Sequence, residues 1–414
     1  MITFMDRPCG AGKTTALLKS FDPKKRYFCV VPTLSEVERY LSEASVPFVT
    51  PEKRSYTDVA GKRRTTLKLH LQELLEDGEN IVTTHALFDK LNMKDFSLRE
   101  YHLCIDEVFD VVKALQGPTR EGFYKRYVED GRATVAEDGR VTPTDKWILE
   151  GSECDRFNLL GAAMDGRLYV LNDKWYVTVV PPEMFTDNRD CLINTYMAEG
   201  SLMAAYLRKF NIPYVVDVDT DLEQQMKDRA KQRLFLGYFD LGIRNKLGES
   251  GLGYQRQGNW GPHVKKRVAG RLKNLKSRKL KGVPTTDILV TCRKDLWFEG
   301  DSENRTTRFA SDSRLSKAPY APKNSKGTNE FRHCTHAVHL YDIHLNPAVG
   351  SFLDMSDEEL DAWRTSELVQ WLYRTDIRNP VGGEVQVFFA SDRMKTLVED
   401  WLDEPTQLIE HLAA

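Results

Sequence analysis

The chain opens on a short apolar run, Ile2 to Met5, which predicts a strand. A breaker-rich turn with Pro8, Gly10 and Gly12 follows, and from Lys13 the composition is helical, with apolar Ala16, Leu17 and Leu18. A second apolar run, Leu103 to Ile105 in "YHLCIDEVFDVV", predicts a strand that delivers Asp106 and Glu107 at its tip. Between about Gly117 and Glu183, Asp-Gly-Arg occurs at Asp130, Asp138 and Asp165, each reading as a turn, and "GRLYVLNDKWYVTVVPPEMF" reads as a hairpin closed at Asn172-Asp173. From about 213 to 282 the pattern is helical and loop-rich. In "HVKKRVAGRLKNLKSRKLKG" Val268, Leu272 and Leu275 can face a core, while nine lysines and arginines occupy the rest with no acid among them. A further α/β core is expected from about Asp287 to Ala390, followed by closing helices. Near its end, "ELVQWLYRTDIRNP" sets Gln370, Arg374 and Arg378 four residues apart, which predicts all three on one helix face.

A chain of 414 residues exceeds what one core usually serves, so two domains are expected. Hydrophobic residues at 41% and charged residues at 29% are ordinary for a globular protein. A formal net charge of −2 gives no global attraction to a polyanion, so any nucleic-acid surface must be local, and the basic segment 263–282 is its place. The seven cysteines are scattered without a C-x-x-C pair, which suits a reducing cytoplasm. No apolar run reaches the length of a membrane span, and the first residues lack the basic start of a signal peptide.

Strand, glycine loop and helix are the order a phosphate-binding loop needs. Backbone N–H groups and the helix N-terminus face the phosphates, a lysine reaches the β- and γ-phosphates, and a hydroxyl ligates Mg²⁺. Here the loop is Gly10, Ala11, Gly12, Lys13, Thr14 and Thr15, with Arg7 where the full pattern has glycine. At the other strand tip, Asp106 can hold the metal with Thr14, and Glu107 can deprotonate an attacking water, a group that hydrolysis needs and phosphoryl transfer to a bound substrate does not. The cluster His333, Cys334, His336 and His339 reads as a strand with alternating faces rather than a metal site.

Taken in order, these segments resemble the superfamily 2 helicases of DExH type, in particular the short versions that phages encode. "PCGAGKTT" is similar to motif I, "VVPTLSEV" to motif Ia, "VTTHALF" to motif Ib, "IDEV" to motif II and, weakly, "INTYMAEGS" to motif III. "DILVTCRKDLW" is similar to motif IV, "SKGTNEFRHCTHAVHLYDIHLNP" to motif V, and the arginine segment to motif VI, with Tyr373 in place of the usual glycine. The resemblance implies two RecA-like domains in tandem, 1–212 and 213–414, with the insertion at about 117–183 in the first. It also implies ATP and Mg²⁺, with Gly327 added to the nucleotide contacts and Arg378 as an arginine finger. Arg374 and Gln370 would stand near the phosphate or its water, though either arginine could be the finger. Few residues precede the first strand, leaving no room for the upstream glutamine motif that selects adenine in DEAD-box relatives.

Single-stranded or forked DNA is the implied track, with RNA open, gripped by Thr33, Thr83, Thr84, His85, Thr328 and Asn329 and by Lys265, Lys266, Arg267 and Arg271. Single, each Thr or Asn could equally be a loop cap. Replication or single-stranded-DNA-binding proteins are plausible partners, no membrane is expected, and a host cytoplasm is the expected location. The leading reading is an ATP-driven DNA helicase or translocase in phage replication, recombination or repair. The alternatives are a nucleic-acid-stimulated ATPase that remodels or anneals, a P-loop phosphotransferase, and a packaging motor.

Overall fold

In the computed structural model the described residues are 1–57, 63–91, 96–151, 157, 159–171, 175–243, 252–300, 303, 305–322 and 330–404. Six strands form the first sheet: β1 (Ile2–Asp6), β2 (Tyr27–Val31), β3 (Ile81–Thr84), β4 (Leu98–Asp106), β5 (Asn188–Thr195) and β6 (Tyr214–Val218). Their order is β6-β1-β5-β4-β2-β3, and every pairing is parallel. β2 is buried along its whole length, as a central strand covered on both faces must be. Four strands form the second sheet: β7 (Leu234–Tyr238), β8 (Ile288–Thr291), β9 (His336–His339) and β10 (Val385–Phe389). They run in the order β7-β10-β9-β8, again all parallel. The protein is thus α/β with two parallel sheets that resemble tandem RecA-like domains, each sheet bringing its strand C-termini to one edge where loops can build a site.

Two boundaries differ from the sequence expectation. β6 lies beyond residue 212 yet pairs with β1, so the first sheet extends to Val218. β7 lies in a stretch read as helices and loops, yet it pairs with β10 as an edge of the second sheet. Both are edge strands whose single paired side leaves mixed rather than alternating burial.

The helices used below are α1 (Lys13–Ser20), α2 (Leu34–Glu43), α3 (Leu202–Lys209), α4 (Thr220–Arg233), α5 (Pro262–Arg278), α6 (Asp357–Leu372) and α7 (Asp392–Asp403). α5 is the expected basic amphipathic helix: Val268, Ala269, Leu272 and Leu275 are buried, while Lys266, Arg267 and Arg271 are exposed. α6 starts on a capping box, Ser356 with Glu359, and carries three acids in its first turn against the helix dipole.

The insertion between β4 and β5 is a small module with its own core of Phe123, Tyr127, Trp147 and Tyr176. It begins earlier than expected, because Val112–Leu115 pairs with Trp175–Val179, which pairs in turn with Leu168–Leu171. The last two strands are the expected hairpin; its turn at Asn172-Asp173 lies outside the described residues. Gly131, Gly139 and Gly166, the glycines of the three Asp-Gly-Arg segments, all have positive φ, as tight turns there require.

Candidate functional site

β1 ends at Asp6, and the chain enters the glycine loop with Gly10 at φ 84° and Gly12 at φ 78°, conformations that cost a side chain but not glycine. Gly12 is the N-cap of α1, so the helix N-terminus faces the loop. Lys13 Nζ donates to the Arg7 carbonyl at 2.9 Å, holding the lysine over the loop. Arg7 itself points away, pairing with Asp217 at 2.8 Å and donating to the Asp217 carbonyl. It stitches β1 to β6, which explains how an arginine is tolerated where a complete phosphate-loop pattern has glycine.

Two strands away, β4 delivers Asp106, and Thr14 Oγ1 donates to Asp106 Oδ2 at 2.8 Å. Hydroxyl and carboxylate therefore meet at one point, with Glu107 beside them. This set fits Mg²⁺, which is usually held by one or two carboxylates together with substrate phosphates. Burial, and then Glu107, push the Asp106 carboxyl up to about 6. Glu107 adopts a left-handed φ of 66°, unusual for a non-glycine residue, and its N–H donates to the Asn194 carbonyl at 2.9 Å.

These groups line a cavity of about 360 Å³ between the two sheets. The first sheet supplies Gly10, Ala11, Gly12, Lys13, Thr14, Thr15, Asp106 and Glu107, and the second supplies Arg332, Gln370, Tyr373, Arg374 and Arg378. Arg39 of α2 also lines it and donates to Thr15 Oγ1 at 2.6 Å. Five cations (Lys13, Arg39, Arg332, Arg374, Arg378) thus face three acids (Glu36, Asp106, Glu107), an excess suited to a polyphosphate.

Gln370, Arg374 and Arg378 converge as expected, but not on one helix face. α6 stops at Leu372. Thr375 breaks it: its hydroxyl donates to the Leu372 carbonyl at 2.7 Å and accepts from the Ile377 N–H, starting a 3₁₀ turn over Asp376–Arg378. Arg233 at the end of α4 braces this turn through the carbonyls of Asp376 and Asn379 at 2.9 and 2.6 Å. Arg378 is carried onto the glycine loop, where a Cβ placed on Gly10 would lie 3.3 Å from its Cγ. Burial, then Arg374, lower the Arg378 pKa, and its Nε is buried with no hydrogen-bond partner among the described residues.

Several residues in or beside the cavity were not singled out in the sequence, although Asn194 and Thr195 lie in the segment weakly similar to motif III. Asn194 and Thr195, at the tip of β5 between the glycine-loop strand and the Asp106 strand, are fully buried with side-chain polar atoms lacking partners among the described residues. Arg39 joins the cavity through the fold alone, and Arg332 lies in the segment similar to motif V, where it was not singled out. Gly327, Thr328 and Asn329 lie outside the described residues.

Of the other residues expected to grip a strand, Thr33 caps α2 and Thr84 caps the short helix His85–Phe88, accepting the Glu36 and Leu87 N–H groups. Thr83 is buried within β3. His85 Nε2 lies 3.0 Å from the Asp106 carbonyl, and its ring stacks on Phe109. His85 also lines a second inter-sheet cavity of about 450 Å³, with Lys113, His344, Asn346, Trp363 and Glu367. Lys265, Lys266, Arg267 and Arg271 sit on α5, where Arg267 donates to the Gly242 carbonyl at 3.3 Å. His339 is buried against Trp371, Tyr341 and Phe389, and no group of His, Cys, Asp or Glu among the described residues is arranged to hold a metal. No helix among the described residues is long and apolar enough to cross a membrane.

Fold and cavity together define an α/β protein with two parallel sheets and a cavity between them that is lined by the glycine loop. Residues 244–402 match the model of the YonV C-terminal Rossmann-like domain. Over 435 aligned positions the chain is 25% identical to the SPbeta prophage-derived uncharacterized protein YonV of Bacillus subtilis (strain 168), spanning 97% of this chain and 98% of that one. Among solved structures it is similar to Xpd4 of S. tokodaii, with a TM-score of 0.49 and 14% identity over 97% of this chain and 94% of that one. It is also similar to S. cerevisiae Dbp5 bound to RNA and ADP BeF3, with a TM-score of 0.34 and 9% identity over 97% and 82% of the two chains. These structural likenesses are distant.

Proposed function

We propose that the protein is an ATP hydrolase whose two domains close on the nucleotide and couple its hydrolysis to movement on single-stranded nucleic acid, a DNA helicase or translocase of superfamily 2 type. The observation that carries this reading is the contact of Arg378 with Gly10, in the cavity that also holds Lys13, Thr14, Asp106 and Glu107. A phosphate loop alone binds nucleotide. Arginines brought onto it from a second domain make turnover sensitive to domain closure.

In this reading the N–H groups of Gly10 to Thr14 and the Lys13 ammonium bind the phosphates. Mg²⁺, held by Thr14 and Asp106, would neutralise phosphate charge. Glu107 accepts a proton from the attacking water, a role supported by its position beside Asp106 in the cavity lining. Arg378 is the finger and Arg374 its neighbour, both stabilising charge that grows on the transferring phosphoryl group. Gln370, which lines the cavity, would orient the water. The second cavity and the exposed basic face of α5 are the surfaces for the strand, gripped mainly by its backbone and hence salt-sensitive.

The test is ATP turnover with no polymer, single-stranded DNA, single-stranded RNA and duplex DNA, at low and moderate salt. Stimulation by one polymer, weakened by salt, upholds the reading. Turnover indifferent to all three polymers contradicts it.

A further inference from the structure

Asp6 ends β1, four residues before Gly10 of the glycine loop, and is 9% exposed. Its two carboxylate oxygens do separate work: Oδ1 accepts the Met197 N–H at 2.9 Å, and Oδ2 accepts the Ala198 N–H at 2.7 Å. These are the second and third residues after β5, which has passed between β1 and β4. Met197 is held at φ 56°, a left-handed conformation that costs a non-glycine residue free energy and persists only where its surroundings fix it. The carboxylate supplies that fixation, because each of its two oxygens takes one of the two N–H donors.

The segment clamped at this end is fastened to the second domain at the other. A Cβ on Gly200 would lie 2.8 Å from the Ala362 carbonyl of α6, so the loop backbone packs directly on that helix. Arg208 bridges the same two elements, bonding Glu199 at 2.9 Å and Glu359 of α6 at 2.5 Å. Tyr196 Oη accepts from Trp401 Nε1 of α7 at 3.2 Å and donates to Glu223 of α4. α6 then leads into Gln370, Arg374 and Arg378.

We propose that Asp6 is a positioning residue: by clamping Met197 and Ala198 it makes the 196–201 segment a rigid strut that sets α6, and with it Arg374 and Arg378, in register with the glycine loop. The inference rests on the nucleotide reading of the cavity and names the device by which the two halves of the site keep register. The strut carries the loop's displacement to the arginines and, by reciprocity, the arginines' displacement back to the loop.

The test compares wild type with Asp6→Asn by hydrogen exchange along the full chain and by ATP turnover. Asparagine keeps the shape but replaces one acceptor oxygen by an NH2 group, so that one of the two N–H groups faces a donor. Exchange at Met197 and Ala198 should rise about tenfold or more, and exchange at 370–378 should rise with it, while kcat falls about tenfold and KM for ATP changes less than about threefold. Faster exchange confined to 196–201, or a loss falling entirely on KM, overturns the proposal. The exchange result decides it even for a wild type that hydrolyses no ATP, an outcome that would instead sink the function proposed above. If Asp6→Asn does not fold, Gly200→Ala pushes the strut from its other end. Faster exchange at the Met197 and Ala198 amides and across 7–14 upholds the strut, and unchanged exchange there overturns it.

Discussion

The Arg378 side chain lies on Gly10, so close that a Cβ on the glycine would sit 3.3 Å from the arginine Cγ. Gly10 also has φ 84°, where an alanine is strained whatever the space around it. Gly10→Ala therefore meets two costs at once, distorting the loop and displacing the arginine. We expect it to retain the fold while losing nucleotide affinity by about tenfold or more, read by titration with a fluorescent ATP analogue. Unchanged affinity would mean that neither the loop geometry nor the arginine beside it matters to binding.

Lys13→Ala and Glu107→Gln should each abolish turnover and leave nucleic-acid binding largely intact, because neither residue lies on the surfaces assigned to the strand. Turnover and a gel-shift titration on the same preparations check this. Persistent turnover in either variant removes that residue from the chemistry.

Asp106 supplies a pH test. Its carboxyl is pushed up to about 6, so it is protonated below that pH and ionised above it. Only the ionised form can share a metal with Thr14. Turnover should therefore fall as pH drops through about 6 and recover above it, and raising Mg²⁺ should move this limb to lower pH because metal competes with the proton. A limb that ignores the Mg²⁺ concentration would place the titrating group elsewhere.

The basic face of α5 is tested by salt. Replacing Lys265, Lys266 and Arg271 with glutamine should weaken nucleic-acid binding and flatten the slope of log affinity against log salt by about 0.7 for each single-strand phosphate that the variant no longer neutralises. An unchanged slope makes this face an ordinary solvated helix surface.

Much of the site was legible because its chemistry is local. A strand, two glycines and G-K-T place Lys13 and Thr14 within a few residues, and an apolar run ending in acids places Asp106 and Glu107. The three basic or polar residues of "QWLYRTDIR" were legible as a group, but their helical spacing was not, because the Thr375 hydroxyl competes for backbone groups and ends α6 at Leu372. The roles of Asp6 and Arg39 were illegible for a different reason. Arg39 reaches the cavity only because α2 packs beside the loop, and Asp6 meets Met197 and Ala198 only because β5 pairs beside β1, and long-range parallel pairing leaves no periodic trace in the sequence. The edge strands β6 and β7 escaped likewise, since one-sided pairing blurs the alternation that marks a strand.

If an arginine from the second domain completes the hydrolysis site of the first, the decisive comparison is steady-state ATP hydrolysis by wild type and Arg378→Ala. It is run with and without single-stranded DNA and alongside nucleotide affinity. We expect kcat to fall by about 10³-fold or more with a much smaller loss of affinity, because the finger acts on charge that develops only in the transition state. Equal losses in kcat and affinity, or unaltered turnover, would take Arg378 out of that role.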